Sequence, residues 1–157
     1  MTGVQTCALP IYVAWGDLDV LLIDLPPGTG DVQLTLIQNA QVDGAVIVST
    51  PQDVAFLDAK KAIGMFGTVK VPIVGIIENM SSFICPGCGK ETQIFGHGGV
   101  KAAAKRMDLP FLGEVPIDLA IREGGDSGQP LVTAYPDSPL TKVFQEMAGT
   151  LKGALKL

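Results

Sequence analysis

The sequence has few basic residues, few cysteines and no long hydrophobic run, and each shortage excludes a class of protein. Its 157 residues contain 11 Lys and Arg against 16 Asp and Glu, which gives a net charge of −5. Such a chain lacks the basic surface that nucleic acids require. No apolar run reaches the roughly 18–20 residues needed to cross a bilayer. The few cysteines cannot form a disulfide framework. We therefore expect a cytoplasmic domain without a nucleic-acid or membrane partner.

The first eleven residues, MTGVQTCALPI, differ from the rest of the chain. They contain neither Lys nor Arg, so they do not form the start of a secretory signal. They look like the translation of a short-read sequencing adapter; a short natural leader is the alternative. We expect residues 1–11 to be a non-native leader that includes Cys7. Residues 12–157 would then be the C-terminal part of one domain whose natural sequence continues upstream.

From Asp19 onward, short apolar runs alternate with amphipathic stretches. This alternation predicts an α/β fold with right-handed crossovers and a parallel sheet that is covered on both faces. Thr50 is expected to cap one helix with Pro51 at its first position, and Ser138 is expected to cap the last helix. The predicted strands are 19–24, 44–49, 72–77 and 111–115, and the predicted helices are 31–40, 50–66, 100–107 and 138–155.

The segment LIDLPPGTGD carries the strongest nucleotide signal. An apolar strand that ends in Asp24 places a carboxylate at the carboxyl edge of the sheet, where it can hold Mg²⁺ beside nucleotide phosphates. Gly28 and Gly30 allow backbone amides to approach a phosphate without interference from a Cβ atom. The alternative is an ordinary strand end followed by a tight turn and a helix that Asp31 caps.

The sequence Cys85-Pro86-Gly87-Cys88-Gly89 predicts a tight turn that carries two thiolates. A lone C-x-x-C pair is typical of a redox site, half of a zinc site or half of an iron–sulfur site. The surrounding residues do not suggest the thioredoxin-like unit that a redox pair needs. Two turns brought together by a two-fold dimer would supply the four ligands of either metal site. His97 could complete a mononuclear site, although a histidine between glycines more often orients a turn.

Five segments together resemble the Mrp/NBP35 iron–sulfur cluster carriers, which are deviant P-loop ATPases related to MinD and ParA. The resemblance covers nearly everything from Val13 onward and rests on LIDLPPGTGD, STPQDVA, ENMSSFICPGCGK, IFGHGG and REGGDSGQP.

The resemblance implies a three-layer α/β/α P-loop fold and a role for each candidate residue. Asp24 is the Walker B acid that serves Mg²⁺, and Gly28–Asp31, with Gly30 between them, belongs to switch II. Asn79 reads the adenine of ATP; from its own position, the alternative is that Asn79 closes the turn after a strand. Cys85 and Cys88 hold an iron–sulfur cluster, expected to be 4Fe-4S and to bridge a homodimer, with Zn²⁺ as a substitute. The implied partners are apo iron–sulfur client proteins.

The chain departs from the family pattern in one respect, because no segment fits the Walker A sequence G-x-x-x-x-G-K-[ST]. Lys60-Lys61 lies inside a predicted helix and is no substitute. We expect the phosphate-binding loop and its strand to lie upstream and the chain as written not to hydrolyse ATP. A vacant gap is expected between the strands at 19–24 and 44–49.

Two other functions each explain part of the sequence. A MinD/ParA-type positioning ATPase would explain LIDLPPGTGD but not the cysteine pair, and residues 142–157 carry only three, widely spaced lysines for a membrane anchor. A zinc-stabilised interaction module would explain the cysteines but not LIDLPPGTGD.

Overall fold

A computed structural model describes residues 13–26 and 28–157. The expected leader at 1–11, with Cys7, lies outside these residues, as does Pro27 of the predicted turn. Helices and strands alternate along the described chain, which agrees with the predicted α/β class. The elements are α1 (Asp31–Asn39), β1 (Ala45–Ser49), α2 (Asp53–Thr68), β2 (Ile73–Ile84), β3 (Glu91–Thr92), α3 (Gly99–Arg106), β4 (Phe111–Ile117), α4 (Leu119–Ser127), α5 (Leu131–Ala134) and α6 (Pro139–Leu155).

Strand β2 is the centre of the sheet. It pairs in parallel with β1, from Ala45↔Ile73 to Ser49↔Glu78, and in parallel with β4. The parallel sheet predicted from the alternation is therefore confirmed. The last two residues of β2 also pair with β3 in the antiparallel direction. Because β2 runs to Ile84, well beyond the predicted end at residue 77, it carries the chain from the sheet directly into the cysteine turn.

The core lies between the sheet and the helices α1, α2 and α3. Ile76 at the centre of β2 is fully buried, and Phe56 and Phe66 of α2 pack into the same cluster with Val100 of α3. Burial of each large apolar side chain contributes about 1.5–3 kcal/mol. Helix α6 packs on β4 and β2.

The predicted strand at Asp19–Asp24 is wrong. This segment is irregular and exposed, with Leu22 at 88% of its free accessibility. Its apolar residues favour a strand, but a strand forms only where a neighbour accepts its backbone hydrogen bonds. No strand of the described chain pairs with it. A groove of about 750 Å³ instead lies between residues 21–25 and β1, where we expected a gap.

Two further expectations need correction. Helix α2 begins after Gln52, and the Thr50 hydroxyl donates to the Gln52 side chain instead of capping the helix. Strand β1 is covered on one face only, since Val46 and Val48 remain exposed.

The Ser138 cap is confirmed, because its side-chain oxygen accepts a hydrogen bond from the Thr141 amide. Within the described ranges, no helix is both long and apolar enough to span a membrane.

Candidate functional site

The groove beside β1 brings together three of the residues predicted to bind a nucleotide. Asp24 and Gly28 line it from the irregular segment before α1, and Asn79 lines it from β2. The carboxyl end of β1 contributes Ser49 and Thr50. Ligands of open parallel sheets bind at this edge, because the carboxyl ends of the strands and the loops that follow them meet there.

The polar groups of the groove are acidic or neutral. Asp24 and Asp58 supply carboxylates, Ser49 and Thr50 supply hydroxyls, and no Lys or Arg is found among the described residues that line it. Carboxylate and hydroxyl oxygens are hard ligands of the type that Mg²⁺ prefers, so this donor set fits Mg²⁺. A triphosphate without its metal would meet negative charge and no cation in this part of the site.

The residues of the turn before α1, which were expected to act together, lie in different places. Gly28 has a φ of +102°, which favours glycine, and it lines the groove. Gly30 is the N-cap of α1, and Asp31 is the exposed first residue of that helix. No side chain caps α1, so the alternative in which Asp31 is the cap is wrong. The Gln33 side chain donates to the Pro26 carbonyl at 3.0 Å and joins α1 to the groove wall.

Asn79 lies within β2 and not in a turn after it. It is opposite Val115 of β4, and its side-chain oxygen accepts a hydrogen bond from the Met80 amide at 2.9 Å. Met80 has a φ of +57°, and the register with β4 shifts between Asn79 and Phe83. Asn79 therefore sits at an irregularity of the strand, with its side chain half-buried at the groove.

The two cysteines lie in a tight turn between β2 and β3. The Cys85 amide donates to the Lys90 carbonyl, and the Gly89 amide donates to the Cys85 carbonyl at 2.8 Å. Gly89 has a φ of +68°, so the turn requires glycine there. Gly87 has no left-handed φ, and a Cβ atom there would lie an ordinary 3.9 Å from the Cys85 sulfur.

Backbone amides stabilise the thiolate of Cys85. Hydrogen bonds from the amides of Gly87 and then Cys88, together with the Cys88 side chain, lower the pKa of the Cys85 thiol, against a small opposing effect of burial. Both cysteines are free thiols, with Cys88 exposed. Because the thiolate is the form that binds soft metals, the turn suits a metal or cluster ligand.

The turn does not form a complete metal site by itself. The described ranges contain no group of three or more His, Cys, Asp or Glu residues placed to hold one ion, so His97 does not complete a site with the cysteines. The nitrogen Nδ1 of His97 lies 3.8 Å from Glu78 and 3.7 Å from Glu114. His97 therefore faces two carboxylates of the sheet.

Glu78 is the residue that sequence reasoning missed. It is fully buried, and its carboxylate accepts hydrogen bonds from the Gly98 amide at 2.8 Å and the Val100 amide at 2.9 Å. Glu78 thus holds the GHGG loop and the start of α3 against β2. A glutamate directly after the apolar run PIVGII is the signal that could have found it, since a charged residue that continues a buried strand needs partners.

Comparisons with known sequences place the chain in a family. The family model described as ParA, NUBPL iron-transfer P-loop NTPase, matches residues 7–152. The chain is 49% identical to the iron-sulfur protein required for NADH dehydrogenase, mitochondrial, from Arabidopsis thaliana, over 92% of the chain and 46% of that protein. It is 50% identical to the iron-sulfur cluster transfer protein NUBPL from Mus musculus, over 92% of the chain and 45% of the relative. The chain thus spans less than half the length of these relatives.

Solved structures agree with this fold. A nucleotide-binding protein from Archaeoglobus fulgidus, solved in complex with ADP, is 44% identical with a TM-score of 0.70, and the match covers 81% of this chain and 52% of that protein. The cell division ATPase MinD from Pyrococcus furiosus is 25% identical with a TM-score of 0.65, and the match covers 86% of this chain and 52% of MinD. The expected P-loop NTPase fold class is confirmed.

Proposed function

Since the chain belongs to the NUBPL iron-transfer P-loop NTPases of the ParA family, we propose that it is the cluster-binding part of a nucleotide-dependent iron–sulfur cluster carrier. The observation that carries this proposal is the Cys85–Cys88 turn, in which backbone amides favour the thiolate of Cys85. The turn continues the strand whose Asn79 lines the groove. Cluster binding and nucleotide binding would therefore share β2.

The cluster is the cargo of the protein and needs more ligands than one chain supplies. Cys85 and Cys88 are two thiolates, and a 4Fe-4S cluster takes four. We propose that a homodimer brings two turns together around one cluster, with Zn²⁺ as a possible substitute at the same four sulfurs. Apo iron–sulfur proteins would receive the cluster. The cytoplasmic location stays a prediction.

The groove would bind ATP and Mg²⁺. Asp24 would hold Mg²⁺ directly or through water, and the Gly28–Asp31 turn would respond to the γ-phosphate. Asn79 uses its side-chain oxygen on the Met80 amide, which leaves its NH₂ group as a donor for a ring nitrogen of adenine. Support comes from the position of Asp24, Gly28 and Asn79 on one groove.

We predict that the 157-residue chain does not hydrolyse ATP. Phosphoryl transfer requires backbone amides and a lysine around the β- and γ-phosphates, and the described groove lining has no Lys or Arg. Phosphate release should stay at the level of an Asp24→Asn control, whereas a full-length protein with an upstream Walker A loop should be active. Activity in the short chain that Asp24→Asn removes would contradict the prediction.

The carrier function is tested in the full-length protein after anaerobic reconstitution with iron and sulfide. Cys85→Ala and Cys88→Ala should each abolish the visible absorbance of the cluster and its iron content. Nucleotide binding should change little, because the turn does not line the groove. Normal cluster content in either variant would overturn the assignment. A protein that loads no cluster but binds ATP would favour the MinD-type positioning ATPase, which the cysteine turn and the matched family support less well.

A further inference from the structure

The cysteine turn lies within residues 79–97, a segment that we call the cysteine arm. The outgoing side of the arm leads from the sheet to the cysteine turn, and the return side leads back from the turn to the sheet. The outgoing side is itself part of the sheet, because Asn79 pairs with Val115 and Phe83 pairs with Ile117 of β4. Its return side pairs with the outgoing side through β3. The hydrogen bond from the Gly96 amide to the Gln93 carbonyl also stays within the arm. The return side meets the sheet again at its end, where His97 lies 3.7 Å from Glu114 of β4 and the main chain just after His97 reaches a buried anchor point.

That point is the carboxylate of Glu78. Glu78 is the sheet residue immediately before the arm, and its two oxygens accept hydrogen bonds from Gly98 and Val100, which come immediately after the arm. One side chain thus closes the base of a segment of about 20 residues. The contact is strong because a carboxylate accepts from two amides, one of them in the first turn of α3, where the helix dipole favours negative charge.

The burial of Glu78 makes either of its two hydrogen bonds costly to lose. Glu78 is fully buried, so losing either hydrogen bond leaves a buried polar group without a partner. The chain also approaches closely at this point, since a Cβ atom on Gly99 would lie 2.9 Å from the Pro51 carbonyl oxygen. The start of α3 is therefore also packed closely against the loop that follows β1.

We infer that Glu78 is a positioning residue for the thiolates of Cys85 and Cys88, an inference that rests on the proposed carrier function. By fixing both ends of the cysteine arm to the sheet, Glu78 holds the turn ready for its cargo before the metal arrives. A preformed site avoids part of the ordering cost of binding. Glu78 touches neither the metal nor the nucleotide in this role.

The inference is tested with Glu78→Gln in the full-length protein, with Co²⁺ as the probe. Glutamine has the same size and keeps one acceptor oxygen, but its NH₂ group cannot accept from a backbone amide. We expect the affinity for Co²⁺ to fall about 10-fold or more, as when groups that orient metal ligands are lost. The thiolate-to-cobalt absorption should also change shape. Glu91→Gln is the matched control, since it removes one negative charge from the exposed part of the same arm.

Amide hydrogen exchange in the unsubstituted protein provides a second test that does not depend on the folding of a variant. Coupling between two sites is reciprocal, so Co²⁺ binding to the cysteines should slow exchange at Gly98 and Val100. Unchanged exchange at these amides would overturn the inference. A Glu78→Gln protein with lower thermal stability but an unchanged cobalt spectrum and affinity would overturn it as well. If the unsubstituted protein bound no Co²⁺ or cluster, the proposed function would fail and the inference with it.

Discussion

At the scale of single residues, the chemistry of Cys85 follows from its neighbours in the turn. The Gly87 and Cys88 amides point at its sulfur and stabilise the negative charge that develops when the thiol ionises. Backbone groups thus favour the thiolate form of Cys85.

The lowered pKa of the Cys85 thiol predicts how the alkylation rate of Cys85 depends on pH. A lowered pKa increases the thiolate fraction at neutral pH, so the alkylation rate of Cys85 should reach half its maximum at a lower pH in the folded chain than in urea. The test uses the metal-free full-length protein with Cys88→Ser, which keeps both backbone amides. Iodoacetamide labelling of the Cys85 peptide, followed by mass spectrometry across a pH series, provides the measurement. Coincident profiles for folded and unfolded protein would contradict the role of the amides.

At the scale of elements, the turn between β2 and β3 depends on one of its two glycines. Gly89 adopts a left-handed φ of +68°, whereas a Cβ atom at Gly87 would lie 3.9 Å from the Cys85 sulfur, which is an ordinary contact distance. Alanine in the left-handed region costs about 1–2 kcal/mol.

Gly89→Ala should therefore weaken Co²⁺ binding by the full-length protein about tenfold, because about 1.4 kcal/mol corresponds to one factor of ten. Gly87→Ala should bind nearly as tightly as the unsubstituted protein, and it serves as the matched control. Cobalt titration followed by thiolate absorbance measures both. An equal loss in the two variants would show that small size, and not the φ of Gly89, is what the turn requires.

Local signals predicted the elements that depend on local contacts. The Ser138 cap, the strand at 45–49 and the helix that begins at Asp31 all agree with the sequence patterns. Helices α4 and α5 were missed. Asp118 caps α4 through the Ala120 amide, but the Gly-Gly pair inside that helix hid its pattern.

Elements that depend on distant partners could not be predicted from their own residues. The more polar part of β2, from Glu78 to Ser82, forms a strand because β4 lies beside it. The short strand β3 forms because its two residues pair with the end of β2. Asp19–Asp24 has the composition of a strand and no partner in the described chain. Motifs predicted roles for Asp24, Asn79 and the cysteines, and these roles stay predictions, although Asp24 and Asn79 do line one groove. Glu78 was missed because its role depends on amides 20 and 22 residues away.

At the scale of the whole molecule, the groove leaves apolar surface uncovered. Val46 and Val48 of β1 are exposed, and Leu21 and Leu22 across the groove are exposed too. Within the described residues β1 has a strand neighbour on one side only. An apolar edge of this kind recruits other chains, so the 157-residue chain should aggregate when it is expressed alone.

The substitution Val48→Thr should raise the soluble fraction of the 157-residue chain, because it keeps the β-branched shape and removes apolar surface at the edge. Val54→Thr is the control, since Val54 is 76% exposed on helix α2 and does not line the groove. Sedimentation of cell lysates and light scattering of the purified chain compare the two. A soluble monomer with a sharp thermal transition before any substitution would show that the uncovered edge matters little.

The position of the cysteine turn also bears on how fast a cargo can leave. The turn is at the outer end of β2, with Cys88 exposed and Cys85 half-buried, whereas the core is centred on Ile76. If the chain carries a cluster as proposed above, a thiolate from a receiving protein could approach that cluster while the bonds to Cys85 and Cys88 are still intact, and it could replace these sulfurs one at a time. Each exchange would leave the number of sulfur ligands unchanged, so the kinetic barrier to transfer would not include opening the hydrophobic core.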